Sequence, residues 1–306
     1  KEIMAVTDRV SVMRAGEIVA DFATSETSIE RLAEAMVGRR VLLEVEKGRS
    51  VPGAVELSVE DLVVTDRRGL RVVDGVGLEV RAGEIVGIAG VAGNGQSELI
   101  ETIAGIRAPT AGRIRFGASD VGGSDPETVR AAGLGHIPED RHRMGLVLDF
   151  SGEENLMLGH QDDPAWGRGL FLDRAAIRRA AERAFADFDI RPNEPSLRTA
   201  LFSGGNQQKI VVAREVAHEP RILVVGQPTR GVDIGAIEAI HRRLIALRDQ
   251  GRAILLVSAE LDEIRSLADR VLVMCQGRIV GECRPDASET EIGLLMAGGR
   301  DGEGRP

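Results

Sequence analysis

The stretch EIVGIAGVAGNGQSELIETI, residues 84–103, passes through three patterns in quick succession. Glu84–Gly90 is a short apolar run of the kind that fills a buried strand. From Ser97 onward, Leu99, Ile100, Ile103 and Ala104 recur at helical spacing. Between them Gly90, Val91, Ala92, Gly93, Asn94, Gly95, Gln96 and Ser97 carry the spacing G-x-x-x-x-G-[K]-[S/T]. A loop so placed can turn its backbone N–H groups inward on a phosphate, and the helix start behind it adds partial positive charge. Ser97 is the candidate Mg²⁺ ligand. Position 96, however, is Gln where that motif needs Lys, so a hydrogen-bond donor remains and the charge is lost. On these residues alone, a purely structural glycine turn is the competing reading.

Working outward, Leu57–Val64 and Val76–Val80 read as strands with a turn at Asp66–Gly69, and Arg221–Val225 and Ile254–Ser258 as apolar strands. Residues 173–189, Gln207–His218 and Gly235–Arg248 read as helices. Strands alternating with helices predict an α/β fold with a mainly parallel sheet. The 306 residues carry 39 Lys+Arg against 48 Asp+Glu, a net charge of −9, which argues against a general nucleic-acid binder. Only Lys1, Lys47 and Lys209 are lysines, so no other lysine lies near the glycine loop in sequence. Cys275 and Cys283 are too few for a disulfide framework and match no zinc spacing, and the five histidines are scattered. No apolar run approaches the ~20 residues of a membrane-spanning helix.

One internal repeat organises the chain. Residues 1–19 align without gaps to residues 262–280 at an offset of 261, with 10 identities in 19 positions. Such a period is far too long for a solenoid and suits a duplicated domain. With Lys as its first residue, the chain is expected to be a piece of something longer. The division expected is 1–45 as the end of a first domain, 46–56 as a linker, 57–300 as one complete second copy, and 301–306 as a tail.

The stretch Phe202-Ser203-Gly204-Gly205-Asn206-Gln207-Gln208-Lys209, followed by a helix, resembles the signature of ABC ATPases in the form found in carbohydrate and nucleoside importers. Gly226-Gln227-Pro228-Thr229-Arg230-Gly231-Val232-Asp233 is similar to that family's Walker B and D-loop, and Pro138-Glu139-Asp140-Arg141 falls at its Q-loop. The resemblance spans about 57–300. It implies a P-loop ABC domain with a RecA-like parallel-sheet core, an N-terminal antiparallel β subdomain and a helical signature subdomain at about 150–215. It is closest to the tandem ATP-binding subunits of bacterial simple-sugar or nucleoside importers, with IPEDRHRMGLVLDF (137–150) and GVAGNGQSEL (90–99) nearer the nucleoside branch.

Against that family pattern this copy departs at several points. Lys is Gln96, the Walker B Asp is Gly226, the catalytic Glu is Gln227, the switch His is Ala259 and the Q-loop Gln is Glu139. The chain has no Tyr, so the family's adenine-stacking Tyr is absent. An amide at 227 cannot act as a base. The resemblance therefore implies ATP and Mg²⁺ as cofactors but a weak or inactive site of its own. It also implies an intact signature, Ser203, Gly204, Gly205 and Asn206, serving the ATP of the first ABC domain across a head-to-tail interface sealed by Asp233. The implied partners are that first domain, two membrane-spanning permease subunits and, indirectly, a solute-binding protein, with no nucleic acid, at the cytoplasmic face of the membrane. Phe150, Leu156 and Met157 are candidate contacts for a coupling helix, with ordinary core packing as the rival reading. Two alternatives to the importer stand: a non-transport tandem ABC protein, or a purely regulatory nucleotide-binding module.

Overall fold

The computed structural model describes residues 2–14, 16–40, 45, 47–168 and 171–298. Residues 41–44, 46 and 299–306, which the sequence reading divides among the ends of the two units, the linker and the tail, lie outside the described residues.

Six strands form the central sheet, in the order Arg278–Cys283, Arg270–Cys275, Glu84–Ala89, Ala253–Val257, Ile222–Gly226 and Leu134–Ile137. Neighbours run parallel except at one edge, where Arg278–Cys283 is antiparallel to Arg270–Cys275. The apolar runs read from the sequence are these strands, and they are apolar throughout because both faces are covered. Side chains alternate between the two faces. Leu223, Val225, Ile254 and Leu256 enter a core shared with Ile210, Ile240, Leu244 and Ile264 of the helices. Ile222, Val224, Leu255 and Val257 enter a second core with Leu99, Ile100 and Ile103. Each such side chain contributes about 1.5–3 kcal/mol by leaving water.

The second core is closed by an antiparallel sheet in the order Arg71–Arg81, Val55–Thr65, Ala111–Phe116 and Ser119–Asp120. Its turn falls where expected, with Asp66 Oδ1 accepting from the backbone of Arg68 and Leu70 at 2.8 and 2.9 Å. The first strand starts at Val55, two residues inside the expected linker, because Gly117 N donates to Glu56 O and Ala82 N to Ala54 O, each at 2.8 Å. Pairing with neighbours sets that boundary, not the composition of the stretch.

On the other side lie the helices Gly152–Met157, Arg174–Asp187 and Gly204–Ala217. Phe185, fully buried, meets Phe202 edge-on at 5.7 Å between ring centres. Asn155 ties this region to the loop before it: its Oδ1 accepts from Val147 N at 2.8 Å, and its Nδ2 donates to Val147 O and Thr199 Oγ1 at 2.9 and 2.8 Å. Leu156 is buried in the core, whereas Phe150 is exposed. Among the described residues no helix is long and apolar enough to cross a membrane.

The repeat is visible in three dimensions. Arg9–Arg14 and Glu17–Ala23 form a hairpin whose register shifts between Val12 and Met13. Arg270–Cys275 and Arg278–Cys283 form a hairpin that shifts between Val273 and Met274, the equivalent pair at the offset of 261. A helix precedes each hairpin, Glu2–Val6 and Leu261–Leu267, and another follows, Ile29–Val37 and Glu289–Met296. Their settings differ. Arg270–Cys275 pairs on its other side with Glu84–Ala89, while among the described residues Arg9–Arg14 pairs only within its hairpin. Met13 and Ile18 are exposed there.

Candidate nucleotide site and signature

The glycine loop sits between the Glu84–Ala89 strand and the Gln96–Ile103 helix, in the setting the sequence predicted. Gly95 makes its tight turn: it has a φ of +100°, and a Cβ there would lie 2.2 Å from Val72 O. The loop is fastened from outside by the turn after Arg270–Cys275. Asn94 Oδ1 accepts from Gln276 N, and Asn94 O from Gly277 N, both at 3.0 Å. Val91, Ala92 and Gly93 are exposed at its crest, while Gln96 is buried beneath. Gln96 Nε2 donates to Val91 O at 3.1 Å, so the amide is spent on holding the loop.

Four further positions singled out in the sequence gather beside it. Ser97 Oγ donates to Glu139 Oε2 at 2.5 Å. Gly226 ends the neighbouring strand, and the Glu139 side chain packs across it. Gln227, at a φ of +47°, donates its N–H to Val257 O at 2.8 Å and accepts at Oε1 from Ala259 N at 3.1 Å. The positions read as base and switch are therefore joined to each other, but by an amide and a backbone N–H. No imidazole and no carboxylate stands in either place.

The signature forms a second cluster. Ser203 is exposed and caps the Gly204–Ala217 helix, accepting from Asn206 N and Asn206 Nδ2 at 3.4 and 2.9 Å. The helix begins three residues before the expected Gln207, because this cap holds two glycines that have little helical preference of their own. Asp233 caps the Ile234–Asp249 helix through Ala236 N at 2.9 Å. Its carboxylate lies against the signature, since a Cβ on Gly205 would come within 2.7 Å of Oδ2.

Arg141, which the sequence reading named only as part of the Q-loop, joins this cluster. Its Nη1 donates to Arg230 O at 2.7 Å and its Nη2 to Gly231 O at 3.3 Å. A Cβ on Gly204 would meet that Nη2 at 2.7 Å. Partial burial of the guanidinium lowers its pKa, with Asp140 pulling the other way. The only sequence signal was an arginine following the acidic pair at 139–140. The structure thus places Gly90–Ser97, Glu139, Gly226, Gln227 and Ala259 at one site. Ser203–Asn206, Arg141 and Asp233 form another, and the segment 227–233 connects the two.

The family model described as "ABC transporter" matches residues 73–230, a span that takes in the glycine loop, Glu139, the Ser203–Asn206 segment and Gln227. The chain belongs to the ABC transporter family. This ABC chain is 43% identical over 295 residues to the guanosine import ATP-binding protein NupO of Bacillus subtilis, covering 96% of this chain and 58% of NupO. It is 43% identical over 304 residues to the glucose import ATP-binding protein TsgD13 of Haloferax volcanii, covering 98% of this chain and 55% of that protein. A solved ATP-binding subunit of an ABC transporter, 26% identical, matches with a TM-score of 0.65 over 79% of this chain and 99% of its own. The chain spans less than two thirds of the length of the curated relatives it matches. The ABC fold implies nucleotide binding, with Mg²⁺ its usual companion. The oxygen donors that converge here, the Ser97 hydroxyl and the Glu139 carboxylate, suit a hard cation that binds one or two protein oxygens plus nucleotide phosphates.

Proposed function

We propose that this chain is the second ATP-binding domain, with the end of the first, of a two-domain subunit that couples ATP binding and hydrolysis to import of a nucleoside or monosaccharide. The observation that carries this reading is the contrast between the two clusters. The site beside the glycine loop has glycine, glutamine and alanine where the family has its acid, base and imidazole. The signature is complete, exposed at Ser203 and braced by Asp233 and Arg141.

In a head-to-tail pair, the Ser203 hydroxyl and the free N–H groups opening the Gly204–Ala217 helix would face the γ-phosphate held by the first domain. Asp233 would line the seam. The own loop would bind nucleotide in a structural or regulatory role, with Mg²⁺ held by Ser97 and phosphate oxygens. Support for a first domain comes from the repeat: the hairpin of Arg9–Arg14 and Glu17–Ala23 copies the bulge and flanking helices of its counterpart, yet Arg9–Arg14 has an unpaired edge among the described residues. In the second copy that edge is taken by the strand leading into the glycine loop.

The partners in this reading are two permease subunits and a solute-binding protein at the cytoplasmic face of the membrane. Relatives named for guanosine and for glucose stand at the same identity, which supports the class of solute. The loop GVAGNGQSEL favours the nucleoside side of that class. The test is Ser203→Arg in the full-length, assembled transporter. Hydrolysis coupled to transport should fall to background, and unimpaired turnover would rule out the head-to-tail role.

A further inference from the structure

We propose that Arg141 is a positioning residue for hydrolysis at the first domain's site: it holds the signature and the segment 227–233 in one register, so that Ser203 and Asp233 meet the partner domain's nucleotide together. The inference deepens the reading above and rests on the head-to-tail pairing.

Arg141 opens a wide helical turn, Arg141–Gly145, that is fastened along the helix Gly204–Ala217 at successive heights. At the start of the helix the guanidinium packs on Gly204, where an added Cβ would meet Nη2 at 2.7 Å. Farther along, His142 Nε2 donates to Gln207 Oε1 at 2.8 Å. Farther still, Arg214 Nη1 donates to Gly145 O at 2.7 Å. Asp140 closes the start of the turn, accepting at Oδ1 from the backbone of His142 and Arg143 at 2.9 and 3.1 Å. The turn and the signature helix are thus one body. The Arg141 guanidinium is the part of it that reaches the segment 227–233, where it donates to the successive carbonyls of Arg230 and Gly231 at 2.7 and 3.3 Å.

Stability does not account for this arrangement. Arg230 and Gly231 are exposed, so water can replace the guanidinium at their carbonyls. A cation set against the first residue of a helix also opposes the helix dipole. The Nε of Arg141 is buried without a hydrogen-bond partner among the described residues. What the side chain supplies is geometry. Its planar fork has fixed donor spacing, spans both carbonyls, and keeps the segment that ends at Asp233 at a set distance from the helix that starts after Ser203. An acid and a helix start that must meet one phosphate from two separate chain segments need such a fixed spacing.

The experiment compares ATP turnover of the full-length, assembled transporter carrying Arg141→Lys, Arg141→Gln or Ser203→Arg. Urea transitions of the purified chain are recorded for the two Arg141 variants. Arg141→Lys keeps the charge but has no rigid fork to span two carbonyls, and Arg141→Gln keeps neither. Both should lower kcat by about tenfold to a hundredfold, with KM for ATP and the urea midpoint unchanged. Full kcat in either variant would overturn the assignment. A lowered kcat with a lowered urea midpoint would show a merely structural role, and a raised KM at full kcat a role in nucleotide binding; each overturns it as well. Ser203→Arg separates this inference from the reading beneath it. Turnover lost in Ser203→Arg but intact in the Arg141 variants removes the inference alone. Unimpaired turnover in Ser203→Arg removes the pairing, and the inference with it.

Discussion

Gln227 and Ala259 are joined directly, the side-chain Oε1 of one accepting from the backbone N–H of the other at 3.1 Å. The two positions that the resemblance reads as base and switch are here a neutral strut between the ends of adjacent strands of the sheet. A carboxamide has no basic lone pair at neutral pH, and alanine has no ring to position. In the function proposed above, hydrolysis at this site would need both functions restored.

Restoring charge to the loop is therefore expected to be insufficient. Gln96→Lys should raise ATP affinity modestly, through attraction to the β- and γ-phosphates, while phosphate release stays at background. Single-turnover assays on the purified chain check this. Strong hydrolysis by that variant would mean that Gln227 and Gly226 matter less than their chemistry says.

Loop shape should matter more than loop charge. Gly95→Ala places a methyl group 2.2 Å from Val72 O at a φ of +100°, so the loop or the strand Arg71–Arg81 must move. Strain of this kind costs roughly 1–3 kcal/mol. Nucleotide affinity is expected to fall at least tenfold with the fold retained. Calorimetric titration reads the first and a urea transition the second.

Asn155 is expected to be a stability residue, not a binding one. It is fully buried and serves both backbone groups of Val147 and the hydroxyl of Thr199. Asn155→Leu leaves those groups unsatisfied, at ~1–3 kcal/mol each. A loss of about 3 kcal/mol or more in the urea transition is expected, with nucleotide affinity unchanged.

The histidines of the helical region set a pH dependence. Burial lowers the pKa of His160 to about 4, with His218, stacked on it at 3.6 Å, and Arg130 acting in the same direction. Arg130 Nη1 donates to His160 Nε2 at 3.0 Å, an arrangement that needs the ring neutral at that nitrogen. Burial also lowers His136 to about 4, and its Nε2 has no hydrogen-bond partner among the described residues. Between pH 6.5 and 4 the unfolded chain takes up protons that the folded chain refuses. This part of the stability is full above about pH 6.5 and is lost as pH falls toward 4. The urea midpoint should drop across that window, and His160→Phe should drop less steeply. Parallel profiles for the two proteins would contradict this origin.

What could be read from the sequence was what lies close together along it. The glycine loop, the SGGNQQ helix cap and the apolar strands each announce themselves within about ten residues, because turn geometry, capping and alternation are local. The helix Gly204–Ala217 was legible in kind but not in its start, since Ser203 offsets the poor propensity of two glycines. What was illegible needed the folded sheet. Glu139 and Gly226 are read separately as two departures, and only the parallel pairing of their strands shows one side chain occupying the other's space. The same holds for Arg141, whose partners Arg230 and Gly231 lie some ninety residues away in the chain. Asn94 and Gln276 are farther apart still.

The central claim, that this site holds nucleotide without turning it over, is tested most directly by titrating Mg-ATP into the purified chain by calorimetry. Phosphate release is followed in the same sample. The account predicts saturable binding with release indistinguishable from background. Steady multiple turnover by contaminant-free protein would contradict it, and would show that another group performs the work Gln227 cannot.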